Sequence, residues 1–200
     1  TRVFDGKDLG DENTYTGQGS LQWTPSDSFT FTLRGDYSNE DENGSPFVSV
    51  GVNERAVFPA ASSVAAGCPG ATFPPPFVPA TADPRCANDA QVLGPFTAGG
   101  TAPVFSTLEN YGVSLTATWE VSDVLSFKSI TSDRHIEWTG GRDADNTPLL
   151  LIHTNYSSQS DQFSQELQAQ IDTDRLDGVI GYYFFEEDSF DSLIVGLGNP

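Results

Sequence analysis

Between Tyr15 and Ser38 apolar and polar side chains alternate with a period of two. Tyr15, Gly17, Gly19, Leu21 and Trp23 share one parity, and Thr16, Gln18, Ser20, Gln22 and Thr24 share the other. Successive side chains of a strand point to opposite faces, so this spacing predicts a strand with one apolar and one polar face. The segment Thr24-Pro25-Ser26-Asp27-Ser28 predicts a tight turn, because Pro25 presets φ and the Ser and Asp side chains bond the local backbone. The alternation then resumes, with Phe29, Phe31, Leu33, Gly35 and Tyr37 set against Thr30, Thr32, Arg34, Asp36 and Ser38. A second hairpin repeats the arrangement. Tyr111, Val113, Leu115, Ala117, Trp119 and Val121 alternate with polar or small residues, Ser122 and Asp123 turn the chain, and Leu125 to Thr131 follow with weaker alternation. In a third pair, Phe163, Gln165, Leu167, Ala169 and Ile171 alternate with Ser164, Glu166, Gln168 and Gln170. The polar turn Asp172 to Asp177 leads to the aromatic strand Val179 to Glu186, which is apolar at both parities and leaves its facing open.

The connections predict how these strands are used. Turns within the hairpins are short, whereas Asn39 to Glu109 and Asp133 to Ser160 are long and rich in Gly, Pro and Asp. Structureless loops of that length count against an ordinary soluble domain. Strict alternation of short turns and long loops between two-faced strands is instead the pattern of an antiparallel up-and-down transmembrane β-barrel, with short periplasmic turns and long outer loops. Trp23 and Trp119 beside the short turns, and Tyr15, Tyr37 and Tyr111 at the opposite strand ends, fit rings anchored at two membrane interfaces. The expected fold is thus an all-β segment of such a barrel, about six strands long, in a bacterial outer membrane. A soluble all-β binding or adhesion module is the alternative, and an enzyme on a β-sandwich comes third. The first two differ in whether Phe29, Phe31, Leu33, Leu115 and Trp119 face lipid or a core.

Composition narrows the function. Lys and Arg total 9 against 28 Asp and Glu, a formal charge of -19, which excludes a phosphate-tracking surface and makes nucleic acid an unsuitable partner. With 14 Phe, 6 Tyr and 3 Trp the chain is too aromatic for a disordered acidic tail. No apolar run reaches the 18 or so residues of a membrane helix, since the Ala-rich stretch Ala56 to Ala82 is broken by Gly67 and several prolines; a membrane role requires strands. The chain has no Met and opens at Thr1 without a signal peptide, which predicts a processed product or an internal segment.

Cys68 and Cys86, the only cysteines, flank a Pro- and Gly-rich segment and read as a disulfide closing an extracytoplasmic loop, in preference to two buried thiols. His135 and His153 lie with Asp143 and Asp145 in the expected long loop, but no HxxxH, HxH, GxSxG or glycine-rich phosphate pattern accompanies them. No catalytic centre, metal or cofactor is therefore expected. Asp143, Asp145 and Asn146 lack the spacing of an EF-hand and predict a self-hydrogen-bonded turn. His135, Trp138, Arg142 and His153 are the candidate ligand contacts, because aromatic and cationic groups on an outer loop suit an anionic iron chelate or a sugar. Arg34, Glu120 and Glu166 would face the lumen, either lining a solute path or pairing with each other and with a plug.

Four stretches resemble the barrel of TonB-dependent receptors. GQGSLQWTPSDSFTFTLRGDYS is similar to an early barrel hairpin of that family, SLTATWEVSDVLSFKSITSDR to a later one, QFSQELQAQ to a recurrent strand opening, and GVIGYYFFEED to the aromatic strand after it. The resemblance implies energy-coupled uptake of a ferric siderophore or a similarly bulky nutrient across the outer membrane. It implies as partners the lipid bilayer, a TonB-type energy-coupling complex and a small solute, an iron chelate by the family's habit. Residues 1–200 would form part of one barrel domain. The plug domain, the coupling segment and the remaining strands of a barrel of about 22 would lie outside them.

Overall fold

The alternating segments become strands of a single antiparallel sheet in the computed structural model, which describes residues 1–74, 82–149 and 151–197. Six strands follow one another in sequence order: β1 (Thr14–Ser26), β2 (Phe29–Glu42), β3 (Phe105–Ser122), β4 (Leu125–Asp143), β5 (Ile152–Asp172) and β6 (Asp177–Leu197). Each pairs with its predecessor, so the topology is up-and-down. The sheet does not close on itself, and β1 and β6 are its edges. Residues 75–81 of the Ala- and Pro-rich stretch and the C-terminal Pro200 lie outside the described residues.

The hairpins are those expected, but the strands are longer. They run from 13 to 21 residues, against an expectation of about 10 per strand. The extra length corrects the long loop expected from Asp133 to Ser160: β4 continues to Asp143 and β5 starts at Ile152, so only 144–151 connects them. This half of the hairpin shows no apolar alternation because neither of its faces is apolar. An unbroken ladder from Asp133↔Phe163 to Asp143↔His153 holds it. Cross-strand pairs add to it, among them Thr107 Oγ1 and Thr139 Oγ1 at 2.6 Å and the Trp138 and Tyr156 rings at 4.2 Å. The other long connection narrows to 43–104.

All long segments gather at one end of the sheet and the short turns at the other. A nine-residue helix, α1 (Val57–Ala65), forms within the long connection. Its sequence suits it, since Pro59 falls in the first turn where no N–H is needed, alanines follow, and Gly67 at φ 72° ends it. Fully buried Ala60 and Ser63 pack beside the Cys68–Cys86 disulfide, which is formed as expected. Ser63 Oγ donates to the Pro59 carbonyl at 2.8 Å and accepts the Ala87 N–H at 2.9 Å. The N-terminal segment joins the same lobe through Arg2, whose buried guanidinium donates to Ala102 O at 2.6 Å and pairs with Asp5.

Candidate functional site: the two faces of the sheet

Register and alternation assign every strand residue to one of two faces. One face carries Phe29, Trp119, Phe127 and Ile180 nearest the short turns. Next come Trp23, Phe31, Ala117, Leu167 and Tyr182, then Leu21, Leu33, Leu115 and Phe184. Tyr37 and Tyr111 pair across β2 and β3 at the far side. The open facing of β6 is resolved: Ile180, Tyr182 and Phe184 join this apolar face, and Val179, Tyr183 and Phe185 take the other. These side chains have no protein cover, with Leu21 at 66% and Trp23 at 62% exposure. Near the turns the rings touch along the sheet, from Trp23 to Phe31 at 5.6 Å, Phe29 to Trp119 at 5.5 Å and Trp119 to Phe127 at 5.9 Å. Polar intrusions on β4 and β5 satisfy each other, for Thr131 Oγ1 donates to Gln165 Oε1 at 2.7 Å and Gln165 Nε2 donates to Ser129 Oγ at 3.0 Å.

The apolar band crosses the sheet obliquely. Moving from the short turns, the first carboxylate on this face is Asp41 on β2, Glu109 on β3, Asp133 on β4, Asp161 on β5 and Glu186 on β6. In the ladder Asp41 is level with Thr107, Thr139, Ser157 and Ser192, so by β6 the boundary has stepped from Ser192 back to Glu186. From β2 to β6 that is about 20 Å along the strand over about 19 Å across it, a mean slope of about 45°, with the step falling between β2 and β4: Asp133 is level with Phe163 and Glu186, and Asp161 lies two residues farther out. Beyond this line the same face of β6 carries two apolar side chains, Phe190 and Ile194, among polar and charged neighbours.

The opposite face is polar over β1 to β5. At its centre Arg134 reaches across β3 to Asp36 on β2, with Nη2 at 2.8 and 3.0 Å from the two carboxylate oxygens, while Nη1 donates to Asn110 Oδ1 at 2.6 Å. The reach depends on Gly112 beneath it, where a Cβ would stand 2.8 Å from Nη2. Gln168 Nε2 donates to Glu166 Oε1 at 2.6 Å, and Gln162 and Ser160 both bond Glu187. Arg34 pairs with neither Glu120 nor Glu166: Glu120 lies six residues away in register and Glu166 is three strands across.

The four candidate ligand contacts sit on strands, which corrects their placement in a loop, and they divide between the faces. Trp138 and Arg142 are on the polar face; Trp138 stacks on Tyr156 and donates from Nε1 to Ser106 Oγ at 3.4 Å, and Arg142 lies 4.0 Å over the Phe47 ring. His135 and His153 are on the other face. The His135 ring stacks on Tyr111 at 5.0 Å and its Nδ1 is 2.5 Å from Asp161 Oδ1. His153 crosses Gly196, where a Cβ would fall 2.1 Å from the imidazole, and its Nδ1 is buried without a partner. The structure does not bring the four together. The sequence pointed to them as polar loop groups; without the ladder nothing in it signalled that β4 and β5 run through all four.

The Asp143 to Asn146 segment is the self-bonded turn expected. Asp143 accepts the N–H groups of Thr101, Ala102 and Asn146, and Asp145 accepts those of Thr147, Leu151 and Ile152. Burial pushes the Asp145 carboxyl up, opposed by the Ile152 N–H and the Thr147 hydroxyl. Both carboxylates are thus engaged, and no group of three or more metal-ligating side chains able to hold an ion exists among the described residues. No described helix is long and apolar enough to cross a membrane, which says nothing of a β-barrel. Neither a family model nor a curated protein matches the chain.

Proposed function

We propose that this chain is part of the barrel wall of an outer-membrane active transporter of the TonB-dependent receptor kind, taking up a ferric siderophore or a similarly bulky nutrient. The observation that carries the reading is the oblique apolar band. Strands of outer-membrane barrels tilt by about 35–45°, so a horizontal lipid zone cuts such a sheet along a line inclined by that angle, and the carboxylate boundary has a mean slope of about 45° from β2 to β6. A sandwich buries its inner face against a second sheet and imposes no such slope. The height agrees too. From Val121 to Tyr111 the band covers about 33 Å along β3, or about 25 Å once tilted, the height of an outer-membrane apolar zone.

The resemblance supports the same reading, since its four stretches coincide with the β1–β2 hairpin, the β3–β4 hairpin, β5 and β6. On this reading the polar face lines the lumen, the lobe of 43–104 and 144–151 lies outside the cell, and the energy-coupling complex engages N-terminal parts of the receptor beyond these strands. The test is membrane fractionation of cells making the complete gene product, with electrophoresis of unheated and boiled samples. Recovery in the outer membrane with heat-modifiable migration is the expected result. A soluble periplasmic protein that migrates identically before and after boiling would replace this reading by the soluble all-β module.

A further inference from the structure

On the polar face, one charge in the middle of the sheet stands without a counter-ion. Arg34 lies at the centre of β2, opposite Ser20 on β1 and Ser114 on β3, and its row continues through Ser132 and Ser164 on β4 and β5. That row holds hydroxyls and no acid up to β5. Among the described residues Arg34 makes no hydrogen bond or ion pair. The nearest carboxylate on its own face of the strand, Asp36, is taken by both contacts from Arg134. The other strand-borne cations differ: Arg134 is paired, Arg142 covers Phe47, and Lys128 belongs to the short-turn end. In a chain with 28 acids and 9 bases, a central arginine left unmatched runs against simple statistics of contact.

The space around it is shaped to admit a ligand. Gln18, Ser20, Arg34, Asp36 and Ser114 line an open cleft of about 480 Å³ floored by the backbone of Gly19 and Gly35. Arg34 is also level with the centre of the apolar band, between Leu33 and Gly35 of the opposite face. At membrane depth an ionisable group is costly unless it meets water or a partner, and by default it marks a solute path. A guanidinium fork matches carboxylate and phosphate oxygens bidentately, and serine hydroxyls supply further donors.

We propose that Arg34 is the anion-receiving group of a subsite on the polar face of β2 and β3, taking the carboxylate or phosphate oxygens of a small solute, with Ser20 and Ser114 as auxiliary donors. The subsite rests on the reading of this face as the lumen. The Asp36–Arg134 pair beside it is neutral overall, so Arg34 sets the local sign.

The experiment is isothermal titration calorimetry at low salt on the complete gene product in detergent, with citrate, inorganic phosphate and, as a neutral control, glucose. Citrate or phosphate should bind saturably and glucose should not; citrate binding alone assigns a carboxylate solute and phosphate binding alone a phosphate one. Arg34→Gln should weaken binding about 10- to 100-fold, the loss of a charge-assisted contact, and Arg34→Lys should retain part of it. Equal binding by Arg34→Gln would overturn the subsite. So would failure of both anions to bind the unaltered protein; if Arg34→Gln then lowered the melting temperature, the partner would be an acidic side chain of a covering polypeptide. Heat-modifiable migration of the same samples separates the two levels, because a variant that stays heat-modifiable while binding is unchanged removes the subsite and leaves the barrel.

Discussion

Phe31 and Thr32 are neighbours in sequence and lie on opposite faces of β2, as do Leu115 and Thr116 on β3, so paired substitutions distinguish the environments of the two faces. If the proposed barrel is correct, Phe31→Arg and Leu115→Arg in the complete protein are expected to destabilise by about 2–4 kcal/mol, the cost of a cation near the bilayer midplane, and Thr32→Arg and Thr116→Arg by far less. Urea unfolding in vesicles measures this, and equal losses at both parities would remove the lipid assignment. A different constraint acts at Gly44, which follows β2 with φ 81° and where a Cβ would stand 2.8 Å from Val104 and 3.0 Å from the Phe105 backbone. Gly44→Ala combines backbone strain with a clash against main chain that has little room to yield. A loss of about 1–3 kcal/mol is expected, seen as a lower thermal midpoint; an unchanged midpoint would mean that the 43–104 segment is not seated against β3.

Among the elements, α1 is tied to the Cys68–Cys86 disulfide through buried Ala60. Cys68 and Cys86 are separated by 18 residues, and opening such a loop by Cys68→Ser with Cys86→Ser should cost the lobe about 3 kcal/mol in the chain-entropy model, read as faster amide exchange at Ala60 and Ala87 with the strands unaffected. Ion pairs in the same lobe give it acid resistance. Arg2 holds the Asp5 carboxyl down to about 2, and Arg85 holds that of Asp83 down to about 2. A folded value below the unfolded one means stabilisation that is complete above the ordinary carboxylate range and lost as pH falls toward about 2. Carboxyl carbon shifts of Asp5 and Asp83 should therefore stay those of carboxylates at pH 3, and titration near pH 4 would show the pairs absent. How much of these elements the sequence carries depends on what holds each one. The β1–β2 and β3–β4 hairpins are legible because one face repeats Phe, Leu and Trp. The outer halves of β4 and β5 are not, because Arg134 to Asp143 and Ile152 to Ser160 are held by the ladder and by pairs such as Trp138–Tyr156, which involve partners distant in the chain. Helix α1 was hidden for the opposite reason, since Pro59 and Gly67 read as breakers although they fall where a helix begins and ends. The Asp36–Arg134 contact joins residues 98 apart, and only the register brings them within reach.

At the scale of the whole molecule, the sheet has two uncovered edges and one uncovered apolar face, and these fix its behaviour outside a membrane. An open groove of about 610 Å³ runs through that face between Phe29, Phe31, Trp119 and Phe127 on one side and Leu167, Ile180 and Tyr182 on the other, floored by Ala117 and Ala169. β6 adds a 21-residue edge whose N–H and C=O groups on one side have no strand to meet. In the proposed barrel lipid covers the face and neighbouring strands cover the edges, whereas in water neither is present and edge-to-edge pairing is the nearest substitute. The charge of -19 opposes association. It acts weakly on the apolar face, because no acid interrupts the band between the short turns and the carboxylate boundary, whereas Glu186, Glu187, Asp188 and Asp191 oppose pairing along the outer half of the β6 edge and leave its Val179–Phe185 half as the part that associates. The 200-residue chain alone is therefore expected to carry no transport and to form oligomers or aggregates in detergent-free buffer, with detergent restoring smaller species. Size-exclusion chromatography with light scattering on refolded chain, with and without detergent, makes the comparison. A sharp monomer without detergent that also unfolds cooperatively would mean that the apolar face is packed within the molecule, and the soluble all-β module would then be the better account of this chain.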